Sequence, residues 1–517
     1  MSNKINLINA NFITLDKQCQ RADTISIVDN KIAAINSIDP NFKSIDLKGA
    51  TVIPGFVDSH FHLTNLGKQL DTLQLKDCKS AIEIAEKVNQ KSKLVGSEDW
   101  ILGFGWDQTK WDINQFPSSS ILDKLPIDQP VMLTRIDGHS AWVNKKAMYL
   151  SGLDITNAEI NGGEIINNCI LIDNAMNPVQ FIIPKNDEAS VEKWIKLAME
   201  IVVSRGITNV HDAWQDPVTV KVLKKLANKG NLPIRVYGML GSSYTKFLKL
   251  FFKDGIYREN NYTIRSVKAF IDGALGSRGA ALLDPYSDKQ NTCGLILISD
   301  KEYNNIARLC KESGFQLCTH AIGDRGNRMV LDVYSNHNEN IKNHRWRIEH
   351  AQMVADKDIP RFVKNGIVPS MQPSHCTSDM RWLKDRLGTE RLHRVSRWKS
   401  FIDQGCKIAG GSDCPIEEGN PIFEYYAAIT RKDHDGYPEN GWQPQEKVSK
   451  IDALKMFTSW AAYAEFSEHR RGRIRPGFDA DLTILSDNIL TLDESKILQT
   501  EVLGTMVSGK FVYNNIN

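Results

Sequence analysis

Eight short β-rich runs, each followed by a longer helical pattern, limit what this chain can fold into. They cover residues 52–57, 207–210, 234–240, 266–271, 316–320, 346–350, 367–372 and 407–411. Strands that alternate with helices in this way pair in parallel, and eight of them predict an α/β fold, the (β/α)8 TIM barrel. From the second run onward the starts lie 21 to 50 residues apart. A strand–helix–strand unit takes about 30 residues or more, so most intervals hold one crossover and the shortest is tight. The first interval spans 155 residues. It is expected to hold an inserted subdomain at roughly residues 70–180, in which 96–105, 130–135 and 162–172 read as strands or turns.

Both ends of the chain have another character. Ile5-Asn6-Leu7-Ile8, Thr24-Ile25-Ser26-Ile27-Val28 and Lys31-Ile32-Ala33-Ala34-Ile35 are β-type runs, the last two separated by the turn pair Asp29-Asn30. Residues 481–485 and 504–513 read the same way. The division expected is a composite β-sandwich from 1–53 and 470–517 around a barrel domain at 54–469.

Composition excludes several classes. Lys+Arg is 64 and Asp+Glu is 62, a net charge of +2, so there is no bulk electrostatic case for nucleic acid or an anionic membrane. Hydrophobic residues at 41% and charged residues at 24% are those of a globular chain. No apolar run reaches the length of about 18 residues that a transmembrane helix needs. The start MSNKINLINANFITLD lacks the apolar core and cleavage site of a signal peptide. Nine cysteines, with no CxxC pair, suit a reduced cytoplasmic chain better than a disulfide framework.

The chemistry gathers at strand ends. Asp58-Ser59-His60-Phe61-His62 closes the first run. Residues two apart on an extended chain face the same side, so His60 and His62 address one point, and paired imidazoles suit zinc or another divalent metal. His320 ends the fifth run, His350 ends the sixth, and Asp413 follows the eighth. Barrel active sites are built at this C-terminal rim, and core packing does not explain four histidines and an aspartate gathered there. Lys268 sits in the otherwise apolar fourth run. A lysine there is costly unless paired or modified, which leaves an ion pair, with Asp272 for instance, or an N-carboxylated lysine bridging two metals.

These stretches resemble the amidohydrolase superfamily over essentially the whole chain. The branch most similar is the amidohydrolase-3 group, which includes N-substituted formamide deformylases. The resemblance is carried by Pro54-Gly55-Phe56-Val57-Asp58-Ser59-His60-Phe61-His62, Lys268-Ala269-Phe270-Ile271-Asp272-Gly273-Ala274-Leu275-Gly276-Ser277-Arg278, Ile348-Glu349-His350-Ala351-Gln352, Gly411-Ser412-Asp413 and residues 472–482. It implies a metal-dependent barrel with a β-sandwich from both termini. His60, His62 and Asp413 would ligate one divalent metal, His320 and His350 a second, with a carbamate on Lys268 between them; one metal and an unmodified lysine is the alternative. The metal would activate water, His350 would help polarise the scissile carbonyl, and Asp413 would carry the proton to the leaving nitrogen.

Three further residues are candidates for substrate contact: His139 in Arg135-Ile136-Asp137-Gly138-His139, Trp106 as an apolar wall, and Arg278 for an anionic group. Each has a plainer reading as a turn residue, a packed aromatic or a surface ion pair. His211, at the end of the second run, is a further candidate to face the pocket, with no ligand position assigned to it. His375, His393, His434 and His469 read as surface or structural, and Cys414 has no thiol-activating neighbour. The expectation is a cytoplasmic metal-dependent hydrolase, zinc being the cation named, that cleaves a non-peptide amide-type C–N bond in a small N-substituted amide or formamide. A deaminase, cyclic amidase or lactonase on the same fold is the alternative, and a non-catalytic binding module is the alternative outside enzymes. The partner expected is a small-molecule substrate, with neither nucleic acid nor membrane, and a homodimer is the default assembly.

Overall fold

Eight parallel strands carry the functional end of the molecule. The computed structural model describes residues 4–153, 162–184, 186–337 and 341–516; part of the expected insertion, 154–161, lies outside them. The strands are β1 (Phe56–Phe61), β2 (Ile207–Gln215), β3 (Arg235–Gly241), β4 (Tyr262–Phe270), β5 (Gln316–Ala321), β6 (Arg347–His350), β7 (Val368–Met371) and β8 (Ala409–Gly410). Each pairs in parallel with the next in chain order. The sheet closes where Asp413 N donates to His60 O at 2.7 Å and His62 N donates to Cys414 O at 2.8 Å.

Helices alternate with these strands for local reasons. Pro217–Asn228, between β2 and β3, starts on Pro217, and its cap Asp216 accepts from Thr219 N. Asp300–Ser313, between β4 and β5, is capped by Ser299, and Gly314 ends it at φ 74°. The tight interval between β6 and β7 is met by one short helix, Ile359–Asn365.

The first β-run divides where one strand was expected. Thr51–Pro54 belongs to the terminal β-domain and Phe56–Phe61 to the barrel. The break falls at Gly55, where a Cβ would lie 2.3 Å from the Thr208 side chain. The terminal domain has two sheets. One orders the strands Lys31–Ile35, Ile25–Val28, Lys4–Ile8, Lys43–Asp46, and the other Lys510–Asn514, Val502–Val507, Leu482–Leu485, Thr51–Pro54, Asn11–Ile13, Arg21–Ala22. They share one core of Leu7, Ile25, Ile27, Phe12, Val52, Leu482, Ile484 and Met506. Residues 504–513 were expected to be one run and form a hairpin instead, because Ser508 and Gly509 turn the chain with φ of 52° and 73°. Arg235 joins this domain to the barrel through hydrogen bonds of 2.6 and 3.0 Å to the Asp481 carboxylate.

Thr64–Ala198 forms a separate compact unit, wider than the 70–180 expected. Its six-stranded sheet orders Gly163–Ile166, Ile170–Asp173, Ser140–Val143, Val131–Arg135, Ile101–Trp106, Leu73–Gln74. Apolar clusters around Trp106 and Trp142 and around Met132 and Met148 fill it. No described helix is long and apolar enough to cross a membrane, and all nine cysteines are free.

Candidate metal centre

His60 is inside β1 rather than beyond it, and its ring is fully buried. Glu349 fixes that ring: Nδ1 lies 2.5 Å from Glu349 Oε2, so Nε2 faces the rim. Nε2 is 3.4 Å from Asp413 Oδ1 and 3.4 Å from Lys268 Nζ. His62, one residue past the strand, brings Nε2 to 3.0 Å from the same Asp413 oxygen. His350 packs against His60 with ring centroids 4.8 Å apart and against His320 at 4.6 Å. Gln372 Oε1 lies 2.8 Å from His350 Nδ1 and orients that ring. His60, His350 and Asp413 each offer one donor atom within 4.8 Å of the others. Two imidazole nitrogens and a carboxylate oxygen so placed fit a divalent metal ion.

The backbone is bent to make this meeting. His350 has φ 72° and Asp413 has φ 61°. Such conformations cost non-glycine residues free energy and cluster at functional sites. At the seam between β1 and β8, Asp58 accepts from Ser412 N at 3.0 Å, Ser412 Oγ at 2.6 Å and His60 N at 3.1 Å. Burial pushes the Asp58 carboxyl up to about 7 despite these donors. Gly411 lies against the same spot, where a Cβ would fall 2.5 Å from His60 N.

Burial also sets the protonation of the cluster. It lowers His60 to about 4 and His320 to about 3, the nearby Lys268 adding to both shifts. It lowers Lys268 as well, with the Glu349 and Asp413 charges opposing. Asp413 is held well below the carboxylate range: burial works against this, and His60, His62, His350 and His375 outweigh it. Neutral imidazoles and an ionised carboxylate are the forms that bind metal.

Beneath the rim the barrel interior is polar. Arg347 Nη2 donates to Glu349 Oε2 at 3.0 Å, to Ser59 O at 2.6 Å and to Ser370 Oγ at 2.8 Å, and Nη1 lies 2.8 Å from His211 Nδ1. His211 Nε2 is in turn 3.5 Å from Glu465. His211 sits in the middle of β2 and belongs to this buried chain. Glu349 and Arg347 had no role assigned from the sequence. Their signal was an Arg-Ile-Glu alternation that puts two charges on one face of a buried strand.

Asp272 lies beside the cluster, its Oδ1 3.6 Å from His320 Nε2. Asp272 does not pair with Lys268; it accepts from the backbone N–H groups of Ala281, Ile322 and Gly323 at 2.8 to 3.0 Å. Arg278 is committed to Asp288 through bonds of 3.0 and 2.8 Å. In the inserted unit, His139 is exposed, with Nδ1 2.8 Å from Asp173 Oδ1, and that hydrogen bond raises its pKa. Trp106 is wholly buried in that unit, with Nε1 donating to Leu133 O at 2.7 Å. The expectation of a substrate wall at Trp106 therefore gives way to a core position. His393 is half exposed beside Asp356, His434 packs on Phe423, and His469 is exposed. His375, read from the sequence as surface or structural, is partly buried beside the cluster. Its ring stacks on His350 at 5.8 Å, and its Nε2 is 3.7 Å from Asp413 Oδ2.

Residues 43–513 match the sequence model of the Amidohydrolase family. The chain is 29% identical to a putative amidohydrolase, YtcJ, of Bacillus subtilis, covering 97% of each protein. It is 23% identical to the N-substituted formamide deformylase of Arthrobacter pascens, covering 98% of each. Among solved structures, an uncharacterized metal-dependent hydrolase from Pyrococcus furiosus superposes with a TM-score of 0.80 at 28% identity, over 94% of this chain and 100% of the other. With its barrel, its rim of metal donors and a family match along nearly its whole length, the chain belongs to the Amidohydrolase family of hydrolases.

Proposed function

We propose that the protein is a divalent-metal hydrolase, with zinc as the cation its nitrogen and carboxylate donors suit, that cleaves the C–N bond of a small non-peptide N-substituted amide or formamide. The observation that carries this is the convergence of His60, His350 and Asp413 within 4.8 Å at the C-terminal end of the barrel strands. The likeness to an N-substituted formamide deformylase along 98% of the chain supports the substrate class.

His60, His62 and Asp413 would hold one cation and His320 and His350 a second, with Lys268 between them. Burial keeps more of the Lys268 amine neutral, and the neutral amine is the form that adds carbon dioxide to become a carbamate. When bound, a divalent cation supplies a Lewis acid for the carbonyl oxygen and lowers the pKa of water to about 7. The residues around it do the positioning. Glu349 and Gln372 fix the tautomers of His60 and His350. Asp413 turns Oδ1 toward His60 and His62 and leaves Oδ2 on the other side. Oδ2 takes the proton of the attacking water and returns it to the leaving nitrogen. Water adds to the carbonyl, the C–N bond breaks, and a carboxylate and an amine depart.

The test is product analysis by NMR with metal-loaded protein and a panel of N-alkyl and N-aryl formamides, N-acyl amines, an aminopyrimidine and a lactone. Formate or another carboxylate released together with its amine is expected. Ammonia from the aminopyrimidine alone, or hydroxy acid from the lactone alone, overturns the assignment.

A further inference from the structure

We propose that His375 is a further catalytic residue, its Nε2–H donating to the carbonyl oxygen of the substrate. The proposal rests on the hydrolase reading above and adds a protein group that touches the reacting atoms. His375 is carried by the helix Pro373–Asp379, which follows β7 directly. Its ring lies nearly parallel to that of His350, at 17° and 5.8 Å between centroids. Nε2 points to the side of Asp413 that His60 and His62 leave open, 3.7 Å from Oδ2. That separation is beyond hydrogen-bond reach, so the carboxylate feels the ring's charge without accepting its N–H. Nε2 is buried and has no hydrogen-bond partner among the described residues.

The position is held rather than incidental. Ser374 N donates to Glu424 Oε2 at 2.9 Å, and Gln352 Nε2 donates to Asp379 Oδ2 at 2.5 Å, so both ends of the short helix are tied down. Gln372, just ahead of it, pairs with His350. A buried polar atom left unpaired costs free energy, and here a rigid element spends that cost beside the metal donors. A substrate carbonyl oxygen that reaches Nε2 supplies the missing acceptor. Hydrogen-bond donors aimed at an oxygen that gains negative charge accelerate acyl transfer.

Two variants of the full metal-loaded chain test this. His375→Phe keeps a flat ring against His350 and removes the donor, and His375→Gln restores an N–H. The readouts are metal per chain, kcat and KM with the formamide that the parent hydrolyses, and calorimetric affinity for acetohydroxamate, a carbonyl-bearing probe. The expected result for His375→Phe is parental metal content, kcat/KM lower by about 10²–10³, mostly in kcat, and acetohydroxamate binding weaker by about tenfold or more. His375→Gln is expected to recover about tenfold of the activity. Loss of metal from His375→Phe overturns the proposal, because His375 would then hold the metal site together. Activity and probe affinity within about threefold of parent also overturn it. A parent that hydrolyses no formamide counts against the substrate assignment alone, and the acetohydroxamate comparison still decides His375.

Discussion

His60 and Glu349 are separated by 289 residues in sequence and by 2.5 Å in space. A carboxylate on the far nitrogen of a metal-facing imidazole fixes its tautomer and raises its basicity. Glu349→Gln keeps the shape and removes the charge, and it is predicted to weaken metal affinity by about 10–100-fold. Titration against a chelator of known affinity measures this, and an unchanged constant would contradict it. Asp413→Asn is predicted to lower turnover by about 10²–10⁴-fold with an unchanged circular dichroism spectrum; undiminished hydrolysis refutes the proton-carrying role. At this scale the strand-end histidines and Asp413 were legible, because a β-run marks its own end and alternation tells which neighbours share a side. Glu349 stands in Ile348-Glu349-His350 without a local sign of its role, since its facing His60 follows from barrel closure. The closeness of His375 to His350 and Asp413 was not legible for a similar reason. Its approach to Asp413 depends on where the helix after β7 meets the residues that follow β8, and no local pattern encodes that.

The seam between β1 and β8 is the element on which the site depends. Only Ala409–Gly410 is regular strand in β8, and the residues after it are held by side chain as much as by ladder. Gly411→Ala places a Cβ 2.5 Å from His60 N and is predicted to cost about 1–3 kcal/mol by overpacking. Asp58→Ala leaves three donors unpaired, and each buried orphan costs about 1–3 kcal/mol. Chemical denaturation of the two variants checks both, and parental stability in either would show the seam to be compliant. The strand count was legible from the runs, whereas strand boundaries were not. A run covering 52–57 shows no sign of changing sheets at Gly55, because the apolar pattern continues across the break and the steric reason, Thr208, lies far along the chain. The pair Ser508-Gly509 carried a turn signal inside 504–513, and its two positive φ values make it a hairpin.

Across the whole molecule the two termini build one β-domain on the barrel, and Arg235 with Asp481 ties the two together. This plan was legible because β-type runs at both ends flank a strand–helix middle. The inserted unit was legible as a long interval and not as a fold, since its six strands mix parallel and antiparallel pairing. Metal binding is predicted to stabilise the barrel by mass action, by about 4 kcal/mol at a free concentration about 1,000 times Kd. Chelated protein should therefore melt lower than metal-loaded protein, with a Tm that rises with added metal; a Tm indifferent to metal contradicts this. Metal content per chain, by elemental mass spectrometry on protein expressed with added zinc and purified without chelators, tests the convergence of His60, His350 and Asp413 most directly. One or two equivalents of divalent metal per chain are predicted, falling sharply in a His60→Ala, His350→Ala double variant that still folds. Protein without stoichiometric metal, or a double variant that retains it, would contradict a metal centre at these residues.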